Sequence, residues 1–384
     1  MGKTTLLRHL FPQSKIVTFD PLIDIENAKA DPDLFLRSQP SPVILDEIQY
    51  VPELVPALKR KVDQNRKNSQ YLVTGSQQWA VMKTLAESLA GRVAFLDLHG
   101  FSLAEAQEIV AQPSLLENWL FQKQIDSDFF SNERSYVSRP HIFHSLWRGW
   151  FPETFFIQDE FIPSFYQGYQ RTYLERDVRS IAEIKDLSLF QRFLSYCAAL
   201  TAQEVNFSQF GREIGVSPDT AKDWLSILKA TFQWMEVPAF SLNSVQKISQ
   251  KPKGYLTDSG LICFLQSLSS PEALSGHPLF GATFESAVVM DIKKRVQTLR
   301  LAPTFYHWRV HSGAEIDLVL ELDGVLFPIE IKSKSNPNGK DARGIVEFRK
   351  KYSTRKIAQG LVICLCDRPY PVNENDWAVP WDVL

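Results

Sequence analysis

The sequence predicts an α/β protein in which two separate sheets are joined by a helical middle segment. Three observations indicate this class. Short, nearly continuous apolar runs alternate with helical stretches over residues 1–105, residues 106–200 show helical spacing without strand runs, and strand patterns return in residues 276–384. Alternation of strands and helices is typical of a parallel sheet, whereas a long helical stretch needs a core of its own.

The length and composition predict a globular chain of two to four domains. A length of 384 residues exceeds what one core usually supports, and contents of 44% apolar and 22% charged residues are ordinary. The net charge of -2 gives no general attraction to nucleic acid, although a local patch could still bind it. The four scattered cysteines and the lack of an apolar run of about 18 residues favour a cytoplasmic protein without a membrane partner.

Residues 1–105 predict a domain built on a parallel sheet. The segment 51–65 has apolar residues at helical spacing, as expected for a helix that connects two parallel strands. Buried strands are predicted where β-branched, nearly continuous apolar runs stand between turn-forming residues. These runs are 15–19, 42–47, 71–76 and 93–98.

The middle of the chain predicts a helical connector or lid over 106–200 and a helix-turn-helix over 201–270. In the latter, a first helix should end near Gly215, and a second should begin with Ser217 as its N-cap and Pro218 in its first turn. This pattern favours a winged helix over a plain helical hairpin. Because the second helix has only two lysines, DNA binding and a pure packing role both remain open. The residues expected to be buried are Ala221, Trp224, Leu225 and Leu228.

A phosphate-binding pattern opens the chain. The residues Gly2-Lys3-Thr4-Thr5 match the end of G-x-x-x-x-G-K-[ST], and a helical sequence follows them. In this pattern Lys3 reaches the β- and γ-phosphates of a nucleotide and Thr4 binds Mg²⁺. Thr5 and the start of the helix present a favourable dipole to the phosphates.

Two acids end the second predicted strand. The apolar run that precedes Asp46 and Glu47 brings them to the C-terminal end of a parallel strand, where ligands bind. Taken alone, they could equally be a strand that ends in two acids. Together with Lys3 and Thr4, they predict that Asp46 holds the Mg²⁺ water shell and that Glu47 polarises the attacking water.

Further polar residues complete the predicted nucleotide site. The third strand ends in Thr74-Gly75-Ser76-Gln77, where a polar side chain can sense the γ-phosphate; Ser76 is the first candidate and Gln77 the second. Arg92 precedes the fourth predicted strand and could stabilise transition-state charge, in its own subunit or in a neighbouring subunit of a homo-oligomer. A surface salt bridge is the alternative for Arg92.

A hairpin near the C-terminus contains a second charged constellation. Asp323-Gly324 predicts a two-residue turn, and counting outward places Asp317 opposite Glu330 and Glu315 opposite Lys332. Two opposed carboxylates repel each other, and a divalent metal would remove that penalty. The other predicted pairs are apolar: Leu322–Val325, Leu320–Phe327, Leu318–Ile329 and Ile316–Ile331.

The spacing of Asp317, Glu330 and Lys332 resembles the PD-(D/E)xK nuclease core, and Glu285 matches the additional helical acid of that core. The resemblance implies that the three acids bind Mg²⁺. It also implies that Lys332 orients the hydrolytic water or neutralises the phosphate. The alternative is an amphipathic hairpin with a solvated charged face. Folds of this kind are often kept for binding after their chemistry is lost.

The whole chain resembles the AAA-type ATPases found widely in prokaryotes as uncharacterised ATP-binding proteins. The resemblance rests on "GKTTLLRHLF", "VILDEIQYVPEL", "VTGSQQ", "ESLAGRVAFLDLHGFSLAE", "WRGWFPE", "YQRTYLERDVRSI" and "FSQFGREIGVSPDTAKDWLSILKATF". It implies a P-loop (AAA-type) sheet, a helical and winged-helix middle and a C-terminal restriction-endonuclease-like α/β domain of unknown function. ATP and Mg²⁺ are the implied cofactors.

The first strand of the family's sheet and the front of the phosphate loop are missing from this pattern. In the family's usual order that strand lies between 71–75 and 93–98. Its absence would remove ladder partners and most of the N–H groups that cradle phosphate. We therefore expect a weakened or lost ATP site if translation starts at Met1, and we hypothesise an internal start, mis-assigned or left by gene decay.

Three hypotheses of function follow. The first is an ATP-binding, Mg²⁺-dependent AAA-type ATPase that couples ATP binding and hydrolysis to the winged helix and the nuclease-like domain. The second is a metal-dependent nuclease, with DNA as its partner, in which the ATPase domain is regulatory or degenerate. The third is a non-catalytic nucleic-acid-binding or scaffold protein with a lost ATP site.

Overall fold

A computed structural model of the chain contains two compact units. The first comprises Met1–His99 and Gln170–Lys185, and the second comprises Gly100–Tyr169 and Asp186–Leu384. The structure describes residues 2–19, 22–75, 89–108, 114–125, 139–179, 184, 186–243, 250–299, 301–310 and 313–384.

The first unit is built on a parallel sheet of three strands in the order β1-β2-β3. They are β1 (Lys15–Thr18), β2 (Val43–Asp46) and β3 (Tyr71–Val73). Every residue of the central strand β2 is buried, which explains its unbroken apolar run. The first three predicted strands are therefore confirmed. Helices of this unit run over Lys3–Leu10, Leu22–Ala30, Pro32–Arg37 and Leu54–Gln64, and a π-helix runs over Tyr173–Val178.

The fourth predicted strand, 93–98, is wrong. These residues form no regular element and are exposed, and the side chain of Leu96 is 93% exposed. The sheet ends at β3, and no strand among the described residues pairs with its outer edge. Without a ladder partner, a β-prone apolar run cannot satisfy its backbone groups as a strand.

The described residues between 106 and 200 contain helices and no strand, as predicted. None of the helices in the described part of the chain is both long and apolar enough to cross a membrane. The helices in and just before this segment are Leu103–Ala106, Leu115–Gln122, Arg139–Arg148, Ile162–Thr172 and Leu187–Ala199.

The predicted helix-turn-helix is formed by Phe207–Ile214 and Pro218–Ala230. Gly215 ends the first helix with a left-handed φ of 86°, and the Ser217 hydroxyl caps the second by accepting the backbone N–H of Thr220. Ala221, Trp224, Leu225 and Leu228 are all buried, as expected. An antiparallel sheet in the order β4-β6-β5 is formed by one strand before these helices and two strands after them, and the assignment as a winged helix stays a prediction. Its strands are β4 (Gln203–Glu204), β5 (Trp234–Val237) and β6 (Lys253–Leu256).

A mixed sheet forms the C-terminal part, in the order β12-β13-β11-β9-β8-β7 with β10 beside β9. The hairpin β8–β9 is antiparallel, while β9, β11 and β13 are parallel to one another. The strands are β7 (Thr304–Arg309), β8 (Glu315–Leu322), β9 (Val325–Lys332), β10 (Lys356–Ile357), β11 (Gly360–Cys364), β12 (Tyr370–Pro371) and β13 (Asp376–Pro380). The helices are Ser259–Leu265, Pro271–Ser275, Phe280–Thr298 and Arg343–Lys351.

The hairpin has the predicted register over its turn-proximal half. Both turn residues have positive φ, 49° for Asp323 and 75° for Gly324, as a two-residue turn between twisted strands requires. The pairs Leu322–Val325, Leu320–Phe327 and Leu318–Ile329 all form. Both faces of β9 are buried, so the alternative of a hairpin with a solvated charged face is wrong.

Candidate functional site

The predicted phosphate-loop residues meet the predicted acid at the carboxyl edge of the first sheet. The hydroxyl of Thr4 donates a hydrogen bond of 2.8 Å to Oδ1 of Asp46. The hydroxyl of Thr74, at the end of β3, donates to the same oxygen. Asp46 is only 5% exposed, so these hydroxyls hold its carboxylate in one orientation. Parallel pairing places the ends of β2 and β3 side by side, which explains why Asp46 and Thr74 meet.

Glu47 occupies the tight turn after β2. Its φ of 61° lies in the left-handed region, and its N–H donates a 3.2 Å hydrogen bond to the Thr74 hydroxyl. Its carboxylate accepts a hydrogen bond from the side-chain amide of Gln49. The sheet edge therefore presents two acids with different environments, one bonded to hydroxyls and one to an amide.

The N-terminal helix begins directly at the predicted phosphate-binding residues. Gly2 has a φ of 75° and caps the helix Lys3–Leu10, which has no buried side chain. Thr5 lies exposed in the first turn. Within the described part of the chain, no ion pair involves the ammonium of Lys3. The Thr4 hydroxyl, in the first turn of this helix, therefore lies at Asp46, and Lys3 is the residue that precedes it in the same turn.

Two of the sequence candidates near β3 lie outside the described residues. These are Ser76 and Gln77, the candidates for sensing the γ-phosphate. The strand-end residue that the structure brings to Asp46 is Thr74, which sequence reasoning passed over. The signal was available, because neighbouring parallel strands end at the same edge and Thr74 directly follows the apolar run.

Arg92 forms a surface ion pair with Asp63 on the helix Leu54–Gln64. It also donates to the backbone oxygen of Ala90. This is the salt-bridge alternative weighed for Arg92, and a catalytic role would require the side chain to leave Asp63.

The donor set at the sheet edge suits Mg²⁺. This ion binds proteins through one or two carboxylates and hydroxyls, and it keeps water and phosphate oxygens as its other ligands. Thr4 and Asp46 provide one hydroxyl and one carboxylate within hydrogen-bond distance of each other. The residues present therefore fit the ion that a nucleotide site of this kind uses.

A second cluster of charged side chains lies in the C-terminal part. Asp317 on β8, Glu330 and Lys332 on β9, and Glu285 on the helix Phe280–Thr298 are the predicted nuclease-like residues. Asp317 and Glu330 are 4% and 3% exposed. The second oxygen of Asp317, Oδ2, accepts a 3.0 Å hydrogen bond from the backbone N–H of Ile331. The carboxylate of Glu330 pairs with the ammonium of Lys332.

An additional lysine joins this cluster from another sheet. The ammonium of Lys253, on β6, lies 2.6 Å from Oε1 of Glu285 and 2.8 Å from Oδ1 of Asp317. The hydroxyl of Tyr255 donates a 2.8 Å hydrogen bond to the same Glu285 oxygen. Lys253, Glu285, Asp317 and Lys332 line one cleft of about 550 Å³.

Burial and neighbouring charges shift the pKa values of the acids in this cluster in different directions. Burial and the charge of Asp317 raise the pKa of Glu285 to about 7. The same two causes raise the pKa of Glu330 well above its usual range. Burial opposes ionisation of Asp317 as well, but the ammonium groups of Lys253 and Lys332 outweigh it and hold its pKa below the ordinary value. Asp317 is therefore the acid that is most firmly ionised.

The cluster as folded does not fit the predicted metal ligation. No group of three or more His, Cys, Asp and Glu side chains within the described ranges is arranged to hold a metal ion. Glu285 and Asp317 share Lys253 instead, and one buried oxygen of Glu330, Oε2, has no hydrogen-bond partner in the part of the chain that the structure describes. The predicted residues thus converge, but around an ammonium group.

Sequence reasoning missed Lys253 and Tyr255. No motif marks the segment "KPKGYL", and the two residues reach Glu285 only because β6 faces the helix that bears it. Strand alternation, which places residues two apart on one face, is the only local signal that links Lys253 with Tyr255.

Comparison with known proteins gives family matches to three parts of the chain. The model of an AAA domain matches residues 1–107, a domain of unknown function (DUF8612) matches 139–272, and another domain of unknown function (DUF4143) matches 280–384. The first match indicates an ATPase-type protein and is consistent with an AAA-type ATPase family. Nucleotide binding, typically with Mg²⁺, is what that family suggests.

Two curated mycobacterial proteins are similar over the whole chain. They are the uncharacterized protein Mb2031c of Mycobacterium bovis and the uncharacterized protein Rv2008c of Mycobacterium tuberculosis. Each is 26% identical over 385 residues, a match that covers 100% of this chain and 78% of the relative. A crystal structure of protein VC1899 from Vibrio cholerae aligns with 96% of this chain and 94% of its own, at 12% identity and a TM-score of 0.21. A TM-score this low does not establish a shared fold.

Proposed function

We propose that this protein binds ATP with Mg²⁺ at the edge of its first sheet and hydrolyses it. The observation that carries the proposal is the hydrogen bond between Thr4 and Asp46, which joins the phosphate-loop sequence to the acid of β2. The AAA-domain match to residues 1–107 supports the same activity. In this proposal, ATP turnover is coupled to the winged-helix and nuclease-like parts of the chain.

Each side chain of the site has a distinct role in the proposal. Lys3 and the N-terminus of its helix bind phosphate oxygens, since both offer positive charge. Thr4 and Asp46 hold Mg²⁺, which would neutralise phosphate charge when bound. Glu47 accepts a proton from the attacking water or orients it. This role requires its carboxylate to turn away from the amide of Gln49.

The residues around this centre have supporting roles. Gly2 and Thr5 contribute backbone N–H groups to the phosphates, and Ser76 senses the γ-phosphate. Arg92 assists only after it leaves Asp63, in its own subunit or in a neighbouring subunit of a homo-oligomer.

Nucleotide binding and turnover test this proposal separately. Binding of a fluorescent ATP analogue, with Mg²⁺ or with EDTA, reports the site, and phosphate release reports hydrolysis. We expect Lys3→Ala to weaken binding and Glu47→Gln to retain binding while it loses turnover. The exposed residues Lys59 and Glu53 provide matched controls, Lys59→Ala and Glu53→Gln, that should behave like the parent chain. Binding that is equal in all variants, or absent from the parent chain, would remove the proposal.

A second candidate function is cleavage of a DNA phosphodiester by the C-terminal cluster. The observation that favours it is the convergence of Glu285, Asp317 and Lys332 in one cleft. Asp317, the most firmly ionised acid, and the ammonium of Lys332 line the same cleft, and groups of these two kinds can orient water beside a phosphate.

Nicking of supercoiled DNA tests this candidate, with and without Mg²⁺ or Mn²⁺. Cleavage that disappears in Asp317→Asn and in Lys332→Met would support it, with Asp367→Asn as an exposed control. If nicking survives both substitutions, it comes from another source and the candidate is wrong. DNA binding without cleavage or ATP turnover would favour a non-catalytic protein.

A further inference from the structure

The ammonium group of Lys253 lies between the carboxylates of Glu285 and Asp317, where a metal ion shared by the two acids would bind. Its ammonium contacts one oxygen of each carboxylate, at 2.6 and 2.8 Å. The side chains are 13%, 14% and 5% exposed, in the order Lys253, Glu285 and Asp317. An ammonium group this well enclosed by two acids compensates their charge directly.

The position of Lys253 is built into the sheet that bears it. Strand β6 is the middle strand of its sheet, so Lys253 is paired with Glu204 on one side and with Val237 on the other. Gly254 lies against the indole of Trp234, where an added Cβ would come within 2.0 Å of the ring. Because the backbone is fixed on both sides of Lys253, its ammonium is held at the carboxylates rather than reaching them from a mobile loop.

We propose that the ammonium of Lys253 is the resident cation of this cluster and closes it to divalent metal ions. The proposal follows from the disagreement between the nuclease-like residue set and the way in which its acids are partnered. The third acid, Glu330, is paired with Lys332. Its Oε2 atom is buried without a hydrogen-bond partner among the described residues, so it is an oxygen that a divalent ion could use as a ligand once the ammonium of Lys253 is removed.

Lys253 links the helix-turn-helix segment with the cleft, because its strand β6 belongs to the sheet formed by the strands before and after those helices. Any movement of β6 that withdraws the ammonium would expose two carboxylates to solvent. The cleft would then accept a divalent ion. Its closure therefore depends on the packing of β6, and this dependence holds whether or not the cluster cleaves DNA.

The substitution Lys253→Met tests the proposal, because it removes the ammonium group and keeps a side chain of similar volume. Mn²⁺ binding to the full chain is measured without nucleotide, by the loss of the free-ion electron paramagnetic resonance signal. We expect Lys253→Met to bind Mn²⁺ at least about tenfold more tightly than the parent chain. The gain should disappear in the double variant Lys253→Met/Asp317→Asn. The exposed Lys251, two residues earlier, gives the matched control Lys251→Met, which should not gain affinity.

Several outcomes would overturn the inference. One is a parent chain that already binds Mn²⁺ in a manner abolished by Asp317→Asn. Another is a folded Lys253→Met variant that gains no affinity. If Lys253→Met does not fold alone, circular dichroism with added Mn²⁺ decides: recovery of the folded signal supports the proposal, and no recovery contradicts it. None of these measurements involves ATP or DNA, so their failure is distinct from failure of the proposed activities.

Discussion

The hydroxyl of Thr4 donates a 2.8 Å hydrogen bond to the carboxylate of Asp46, across 42 residues of chain. Asp46 also accepts from Thr74, so its orientation does not depend on Thr4 alone. We therefore expect Thr4→Val to preserve the fold. It should weaken Mg²⁺-dependent ATP binding by about tenfold or more, as loss of a hydrogen bond to a charged group costs ~1.5–3 kcal/mol.

Fluorescence titration of the Thr4→Val variant in Mg²⁺ and in EDTA measures this effect. The loss should appear only in Mg²⁺, because Thr4 is assigned to the ion and not to the phosphates. An equal loss in both buffers would assign Thr4 to the phosphates instead.

The pair formed by Arg92 and Asp63 provides a second prediction. If Arg92 assists hydrolysis, Asp63→Asn should free the guanidinium group and raise the rate of phosphate release. Arg92→Ala should lower that rate with little change in ATP affinity. Phosphate-release assays at saturating ATP measure both variants. Unchanged rates in both would leave Arg92 as a surface ion pair only.

The apolar segment at 93–98 leads to a prediction about self-association. Leu96 is 93% exposed and Phe95 is 46% exposed, in a run with strong β-propensity. We expect Leu96→Lys to lower aggregation, seen by dynamic light scattering, without lowering the thermal midpoint. Gln13→Lys adds the same charge at another exposed position and controls for net charge. A large fall in the midpoint of Leu96→Lys would show that Leu96 is packed after all.

Much of the fold was predictable where local patterns and tertiary environment agree. The buried run before Asp46 became the central strand of a parallel sheet, and the turn Asp323-Gly324 gave the counted register over the turn-proximal half of the hairpin. Ser217 and Gly215 set the helix limits because capping chemistry is local. These features depend on short-range geometry, which a sequence shows directly.

The failures arose where a partner outside the local pattern decides the outcome. The run 93–98 has the composition of a strand, but a strand exists only when a neighbour satisfies its backbone. The acids Glu285 and Asp317 were predicted together, but the group between them is Lys253, which is distant in sequence and marked by no motif. Charge compensation across sheets depends on packing and cannot be counted from spacing.

A buried aspartate in the second unit leads to a prediction about stability. Asp258 is 4% exposed and accepts hydrogen bonds of 2.8 Å from the backbone N–H groups of Trp150 and Leu261 and from the hydroxyl of Tyr166. Asp258→Ala would leave the backbone N–H groups of Trp150 and Leu261 without this acceptor, at a cost of about 1–3 kcal/mol each, while the Tyr166 hydroxyl keeps the backbone oxygen of Arg148 at 3.0 Å. We expect a loss of at least ~2 kcal/mol in the free energy of unfolding by urea denaturation.

Asp186 gives the matched comparison for Asp258. It caps the helix Leu187–Ala199 through the backbone N–H of Leu189, but at an exposed position. Asp186→Ala should cost only about 1 kcal/mol. Similar losses for the two variants would mean that the donors around Asp258 find water or other partners.

The buried ring of His307 predicts how stability depends on pH. Burial lowers the pKa of His307 below its usual value, and its Nε2 lies 3.1 Å from the backbone oxygen of Lys251. The folded protein therefore favours the neutral ring, whereas the unfolded chain takes up a proton once the pH falls below about 6.5. The contribution of His307 to stability should be complete above that pH and should decline as the pH falls toward its folded pKa.

Urea unfolding of the parent chain and of His307→Gln, at about pH 7.5 and about pH 5.5, measures this contribution. Gln cannot titrate but can still donate to the oxygen of Lys251, so its stability should fall less on acidification than that of the parent chain. His9→Gln removes an exposed imidazole and should follow the parent chain at both pH values. An equal fall in stability for the parent chain and His307→Gln would show that His307 is protonated as readily in the folded state as in the unfolded one.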